Sequence, residues 1–471
     1  MDVAIRTAVD ADWTAMHRLE ATAFGRFMSA ESTAAWRART SPDAAVVACA
    51  GADVVGYVTW SDYSLTVPGG VVLPLAGLTS VAVAPTHRRR GVLTAMLAEV
   101  HRRIERAGYA LAGLTASEGG IYGRKLTVGD IIDDELGQNQ AKAQQVIADP
   151  NTFANFQATL VASGWGDLDK AGVPTYTWGI NSTESADRTA IFPSLAVRCS
   201  DCVRPAVPWI AKQVGASKAA AIGYGISENS KECAGAFGDA ITHYAKDSGV
   251  ELAYTNDSLD YGLPNGVGPM VSAMKAAGVD FVASCIDLNG MKTLAQELRR
   301  QGMDDVVLYH PNSYDRAFVS TSDGLFDGDI VAVQFRPFEA SATGNALTEF
   351  TTWIDKQGAE PSELAMVGWI NASMAYDALL AAGPEFDRQR AIDALNEETA
   401  DSAGGLLIPV DWTVAHTPYK KSDPQPSDTE CQAFVKVTGN RFEMFGDPKK
   451  PWKCWAEGDP YVFDATDESF G

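Results

Sequence analysis

The composition of this chain breaks at one point. All 16 lysines lie after Arg124, beginning with the very next residue. Residues 1–124 hold 12 arginines, no lysine and 11 acidic residues, while residues 125–471 hold 26 basic and 49 acidic residues. The front is therefore near neutral and the back carries a charge of −23. One gene with one codon bias would not confine lysine in this way, so the break predicts two modules, residues 1–124 and 125–471. The length of 471 residues agrees, because it exceeds what one hydrophobic core usually supports. A net charge of −22 disfavours nucleic acid and anionic membrane surfaces as partners, since both would repel the chain's average field.

No apolar run approaches the roughly 20 residues that span a bilayer, so no membrane span is expected. The N-terminus, MDVAIRTAVDADW, shows no basic stretch followed by an apolar one, so as written the chain is expected to be cytoplasmic. Cysteine usage points the other way. Cys49 stands alone in front, whereas Cys199, Cys202, Cys233, Cys285, Cys431 and Cys454 form an even set behind. Disulfides in an oxidising compartment and six buried thiols in a reducing one both fit that count. Cys199 and Cys202 form a CxxC, but no second CxxC or nearby His pair supports zinc, and no metal is expected. Cys431 with Cys454 is one candidate pair, around the polar loop of residues 417–429, and Cys233 with Cys285 is another.

In the front module, residues 10–23 place Trp13, Met16, Leu19 and Ala23 at helical spacing, and residues 29–39 form a second short helix. Residues 44–50 and 54–61 alternate like paired strands around Gly51-Ala52-Asp53. Residues 78–83 read as a strand and residues 84–87 as a turn. Arg88-Arg89-Arg90-Gly91 then opens a helix running to Gly108, and a strand follows over residues 110–116. A strand feeding a basic, glycine-containing loop at a helix N-terminus presents unpaired N–H groups and a positive dipole end, which suits a pyrophosphate. Read alone, RRRG is equally a solvated basic turn.

This order of elements resembles the coenzyme A site of the GNAT acetyltransferase superfamily, an α+β fold. The stretch SVAVAPTHRRRGVLTAML followed by TASEGGIYGR is similar to the acetyltransferase domain of the enhanced intracellular survival family, which acetylates amines on aminoglycosides or lysine. The resemblance implies acetyl-CoA as cofactor and a small-molecule amine as acceptor. It implies backbone contacts to pantetheine from Val81 and Val83, a pyrophosphate loop of Arg88, Arg89 and Gly91, a coenzyme contact from Ser117, and Tyr122 as general acid. Leu93 departs from the pattern, standing where many members have Gly or Ala. A phenol suits the acid's task because its pKa, near about 10, lies close to a thiol's. After GGIYGR the family continues with FGYG, its last strands and a C-terminal domain whose carboxylate is the base. Here Lys125-Leu126-Thr127-Val128 follows, so the module is expected to be truncated and without that base.

From Lys125 the pattern becomes repeated βαβ. Strands over 219–223, 250–254, 280–285 and 305–310 alternate with helices over 228–248, 267–277 and 291–300, with Gly249, Gly278 and Gly302 at the helix ends. Such alternation predicts a doubly wound parallel sheet. An earlier unit spans residues 125–180, and after Gly328 the chain returns through a strand over 330–336 and helices around Trp353, 366–382 and 390–398. GGIYGRKLTV with Asp133-Asp134, AAGVDFVASCID with TLAQELRRQG, and WINASMAYDALLAAG resemble type I periplasmic substrate-binding proteins of ABC importers for branched-chain amino acids or amides. The resemblance implies two lobes, an ABC permease as partner and an exported relative.

By that analogy the strand ends facing the cleft carry Thr159, Tyr176, Trp178, Tyr224, Ser227, Asp287, Tyr309 and Asn312. Each is individually as good a packing or turn residue. The family's first strand should precede GGIYGR, and its absence should leave an edge exposed in the first lobe. GGIYGR, residues 119–124, belongs to both likenesses. Three functions are expected to compete: a chimaera that acetylates an amine and binds a solute, a solute-binding protein whose front half is inactive, and a recombination product with neither function.

Overall fold

The computed structural model describes residues 3–470 apart from 25–35, 38–39, 41, 67–71, 88–89, 110, 115–119, 123, 181–183, 185, 197–202, 312, 342–345, 418–429 and 457–461. The chain divides into two compact units, Met1–Leu126 and Thr127–Gly471.

The first unit runs β1 (Ala4–Thr7), α1 (Trp13–Phe24), β2 (Ala45–Ala50), β3 (Asp53–Thr66), β4 (Val72–Val83), α2 (Val92–Arg106) and β5 (Leu111–Leu114). A small hairpin of β6 (Gly120–Ile121) and β7 (Arg124–Lys125) follows. Five strands form one sheet in order β1-β2-β3-β4-β5, antiparallel except for the final β4–β5 pair. The long β3 exceeds the expected 54–61 because it pairs with β4 through Thr66↔Val72. Of the expected second helix, Trp36 and Arg37 are helical and the rest lies largely outside the described residues.

Both faces of this sheet are covered. On one, α2 buries Val92, Met96, Val100 and Ile104, a single helical ridge, against Val46, Ala48, Val58, Trp60, Ala76 and Leu78. Gly56 permits this close approach, since a Cβ there would lie 3.1 Å from the Met96 methyl. On the other face Trp13 and Met16 of α1 pack with Val47, Cys49, Tyr57 and Ala82. Alternating residues of β2 thus face opposite cores, as the strand period requires.

The second unit has two lobes. In the first, α3 (Asn139–Ala148), β8 (Asn155–Gln157), α4 (Trp165–Lys170), β9 (Thr175–Ile180) and β10 (Ile191–Ala196) build a parallel sheet of order β10-β9-β8. β8 is an edge, and residues 126–134 form no strand, with Val128 90% and Ile131 96% exposed.

The second lobe contains α5 (Ala206–Gln213), β11 (Lys218–Tyr224), α6 (Glu228–His243), α7 (Ala245–Ser248), β12 (Glu251–Leu259), α8 (Gly268–Ala277), β13 (Phe281–Cys285), α9 (Leu288–Arg300), β14 (Val307–His310), α10 (Arg316–Ser320) and β15 (Ile330–Val333). Helices α11 (Ala346–Gln357), α12 (Glu363–Ala382), α13 (Arg388–Asn396) and α14 (Trp412–Ala415) precede β16 (Glu430–Thr438), β17 (Arg441–Met444), β18 (Trp452–Trp455) and β19 (Thr466–Glu468). The sheet is parallel through β12-β11-β13-β14-β15, then gains β16, β17, β18 and β19 antiparallel. That antiparallel extension departs from the parallel sheet expected, because β16 returns beside β15 in the opposite direction after helices α11–α14 and, among the described residues, no further helix separates it from β17, β18 and β19. Gly249 and Gly278 end α7 and α8 in left-handed conformation at φ 75° and 76°.

Helix α12 crosses back to the first lobe, where Asn371 Nδ2 donates to the Thr177 carbonyl at 3.1 Å. By length and composition it is apolar enough to cross a bilayer. It nevertheless buries Met366, Val367, Ile370, Met374 and Leu379 as a core helix does. Two disulfides form, Cys233–Cys285 from α6 to the end of β13 and Cys431–Cys454 between β16 and β18. Four of the six back cysteines are thus paired, while Cys199 and Cys202 lie outside the described residues.

Candidate functional sites

In the first unit the parallel ladder between β4 and β5 runs from Leu75↔Leu111 to Leu78↔Leu114, and β4 continues through Val83. Among the described residues, none of β4 beyond Leu78 pairs with β5. Val81 and Val83 lie in that continuation, both half-buried. At the other end of the turn, Gly91 caps α2 in left-handed conformation, φ 78°, with open space where a Cβ would stand. The first bond of the helix, Ala95 N–H to the Gly91 carbonyl at 3.0 Å, leaves the preceding helix-start amides outside the ladder. A helix start with that open space fits an anionic diphosphate. Arg88, Arg89 and Ser117 lie outside the described residues. Tyr122 sits in the turn between β6 and β7 at φ 50°, and its side chain is 47% exposed.

In the second unit the carboxyl ends of the strands gather the half-buried Asp287 and Thr159, with Tyr224 and Ser227 fully buried behind them as their supports. The Tyr224 hydroxyl donates to Asp287 Oδ1 at 2.5 Å, and the same oxygen caps α9 by accepting the Gly290 N–H at 3.1 Å. Burial, then the Asp287 carboxylate, holds the Tyr224 phenol well above its usual range. Tyr261 packs against Tyr224 with ring centroids 5.3 Å apart, and its phenol is likewise raised, by burial and then by Asp287. Ser227 caps α6 and donates to the Leu160 carbonyl at 3.0 Å, a bond between the lobes. One residue earlier, Thr159 Oγ1 donates to Asp134 at 2.5 Å.

Two expected cleft residues belong to the core instead. Tyr176 is the second residue of β9, in register with Phe156 and Phe192, and its ring stacks between theirs at 5.2 and 5.7 Å. Tyr309 is 2% exposed, and its ring meets Phe237, Phe281 and Phe434. Both sit before the strand end, where neighbouring strands and covering helices bury either face. Trp178 is half-buried near the end of β9, and Asn312 lies outside the described residues. Tyr261 was not anticipated, since a loop tyrosine after β12 carries no periodic signal. Among the described residues no group of three or more His, Cys, Asp or Glu side chains is placed to hold a metal.

A mixed sheet with a glycine-opened helix and, separately, two α/β lobes with polar groups at their strand ends are the frames of an acetyltransferase domain joined to a solute-binding domain. Residues 4–125 match the acetyltransferase (GNAT) domain model, and residues 93–419 match the periplasmic binding protein model. The second match takes in more than half of the chain, which belongs to the periplasmic binding protein family.

Its curated relatives resemble the front. The chain is 45% identical over 170 residues to the N-acetyltransferase Eis of Mycobacterium tuberculosis, covering 35% of this chain and 40% of that protein. It is 41% identical over 125 residues to an uncharacterized N-acetyltransferase of Streptomyces avermitilis, covering 26% and 31%. The chain thus spans well under half the length of these relatives.

Solved structures resemble the back. The branched-chain amino acid transporter substrate binding protein LivJ of Streptococcus pneumoniae, in complex with isoleucine, superposes with a TM-score of 0.55 at 14% identity over 76% of this chain and 91% of that one. A solute binding protein of R. palustris in complex with benzoate gives 0.54 at 13% identity over 79% and 93%. These likenesses establish the fold.

Proposed function

We propose that the first unit is an acetyl-CoA-dependent N-acetyltransferase acting on a small amine, and that the second retains part of a site for an amino acid or amide. The observation that carries the first reading is the helix start at Gly91, left-handed at φ 78° with open space where a Cβ would stand, reached by the short turn that follows β4. Acetyl-CoA would supply an acetyl group activated as a thioester. Arg88, Arg89 and the amides after Gly91 would hold its pyrophosphate by charge-assisted bonds. Val81 and Val83 would direct the pantetheine arm, Ser117 would contact it, and Tyr122 would deliver a proton to the departing sulfur.

Isothermal titration of the full chain with coenzyme A tests this reading. Binding is expected, with Arg88→Ala weakening it about tenfold, as loss of a charge-assisted phosphate contact should. No binding to the unsubstituted chain ends it.

For the second unit, the Tyr224–Asp287 pair and Ser227 support recognition of a zwitterion or amide. The half-buried Asp287 carboxylate, oriented by the Tyr224 hydroxyl, would meet an ammonium or amide N–H. The ABC permease that serves intact relatives would be its partner, in the oxidising compartment where Cys233–Cys285 and Cys431–Cys454 persist.

A further inference from the structure

A buried phenol, a carboxylate and a strained bulge converge in the first unit. The β3–β4 register steps from Tyr57↔Ala82 to Thr59↔Thr79, so Ser80 and Val81 together oppose Val58. Such a bulge bends its strand and re-aims side chains. Ser80 adopts φ 49°, a left-handed conformation that a residue with a Cβ rarely takes. Strain of this kind persists where the surrounding structure enforces it, and it concentrates at functional sites. The bulge begins two residues after Leu78, which pairs with Leu114 of β5.

On the α1 face of the same place, Tyr57 is wholly buried among Trp13, Met16, Ala82 and Trp36. Its hydroxyl donates to Glu20 of α1, and the Ser80 side chain is its other polar neighbour. Burial, reinforced by Glu20, keeps this phenol protonated as a fixed donor. Glu20 itself is half-buried, and an ionised carboxylate has lone-pair sites for about four bonds, of which Tyr57 takes one. The Trp36 ring stands 6.0 Å from that of Tyr57, so a second aromatic ring flanks the phenol that holds Glu20, and aromatic faces attract an ammonium.

We infer that Glu20, positioned by Tyr57, binds the ammonium group of the amine acceptor beside the Ser80 bulge and takes its proton. The proton leaves nitrogen for a Glu20 oxygen and passes on to water, and the nitrogen keeps the electron pair that makes it a nucleophile. No oxidant or further reactant enters. This would place an amine-deprotonating group within residues 1–124, where the family resemblance supplies none. The catalytic meaning rests on the acetyltransferase reading, whereas the ammonium site does not.

The test is a calorimetric titration of the full chain with 1,5-diaminopentane, without coenzyme. Glu20→Gln is expected to weaken the diamine at least tenfold, with Glu20→Asp recovering part of the loss and Tyr57→Phe falling between. Coenzyme A affinity and melting temperature should be unchanged in Glu20→Gln. The inference is overturned if the unsubstituted chain does not bind the diamine or if Glu20→Gln binds it equally well. It is equally overturned if Glu20→Gln loses coenzyme affinity in parallel, which would mark Glu20 as structural. If Glu20→Gln does not fold, unchanged diamine affinity in both Glu20→Asp and Tyr57→Phe overturns it. Failure to bind coenzyme A while the diamine still binds refutes acetyl transfer and leaves the ammonium site standing.

Discussion

Single buried ionisable groups set how this molecule responds to pH. Glu363, the first residue of α12, is 8% exposed, and burial pushes its carboxyl up to about 8 from 4.5. Between those values the unfolded chain releases a proton that the folded chain keeps, so stability falls as pH rises through this window. His416 is the opposite case. Stacked on Trp412 and buried, it is held down at about 4 from 6.5, so the unfolded chain takes up a proton that the folded one refuses. Its contribution is present above 6.5 and is lost as pH drops toward 4. Glu363→Gln is therefore expected to raise the urea midpoint of the second unit at pH 8.5 while changing little at pH 4.5, the difference amounting to a few kcal/mol at about 1.4 kcal/mol per pKa unit. Parallel wild-type and variant curves across that range would refute the assignment. Neither group stood out in the sequence, because burial of one acid or one imidazole leaves no periodic trace.

At the scale of elements, strands and helices of the second unit follow their hydrophobic period closely. The expected strand over 280–285 is found as Phe281–Cys285, and the helix over 291–300 begins three residues early, at Leu288, because Asp287 caps it. Residues 126–132 behave differently. They are rich in apolar residues but form no strand, since a strand exists only with a partner and they have none among the described residues. The result is an open edge at β8 beside a stretch in which Val128, Ile131 and Leu126 face solvent. Unpaired edges near exposed apolar segments promote edge-to-edge association. Val128→Lys with Ile131→Lys is expected to reduce light scattering at high protein concentration without lowering the melting temperature. Unchanged scattering would show that this segment does not drive association.

At the scale of the whole molecule, each unit carries its own core. The first is built on Val58, Met96 and Trp60 and on Tyr57 with Trp13, and the second on Trp209, Phe281 and Phe434 and on Trp165 with Leu168. If the second unit still captures a solute, differential scanning across amino acids and amides should find one ligand that raises its melting temperature. Saturation at about 100 times Kd corresponds to about 2.7 kcal/mol. Tyr224→Phe should diminish that shift, because Asp287 would lose a fixed donor. No shift from any member of the panel would refute solute capture by the second unit.

The break at Arg124 separated two modules, because composition is a local property that survives without coordinates, while both folds were legible only through the resemblance of SVAVAPTHRRRGVLTAML, GGIYGR and WINASMAYDALLAAG to known families. Cysteine parity left two compartments open, and only the approach of α6 to β13 and of β16 to β18 decided for disulfides. The periodic signal placed Tyr176 and Tyr309 at strands but not at their depth along them. Three-strand register stacked one ring between phenylalanines, and the covering helices buried the other. The Glu20–Tyr57 contact joins residues 37 apart across α1 and β3. Such a meeting is made by packing, since a helix and a strand that each satisfy their own period bring polar groups together only once they are docked.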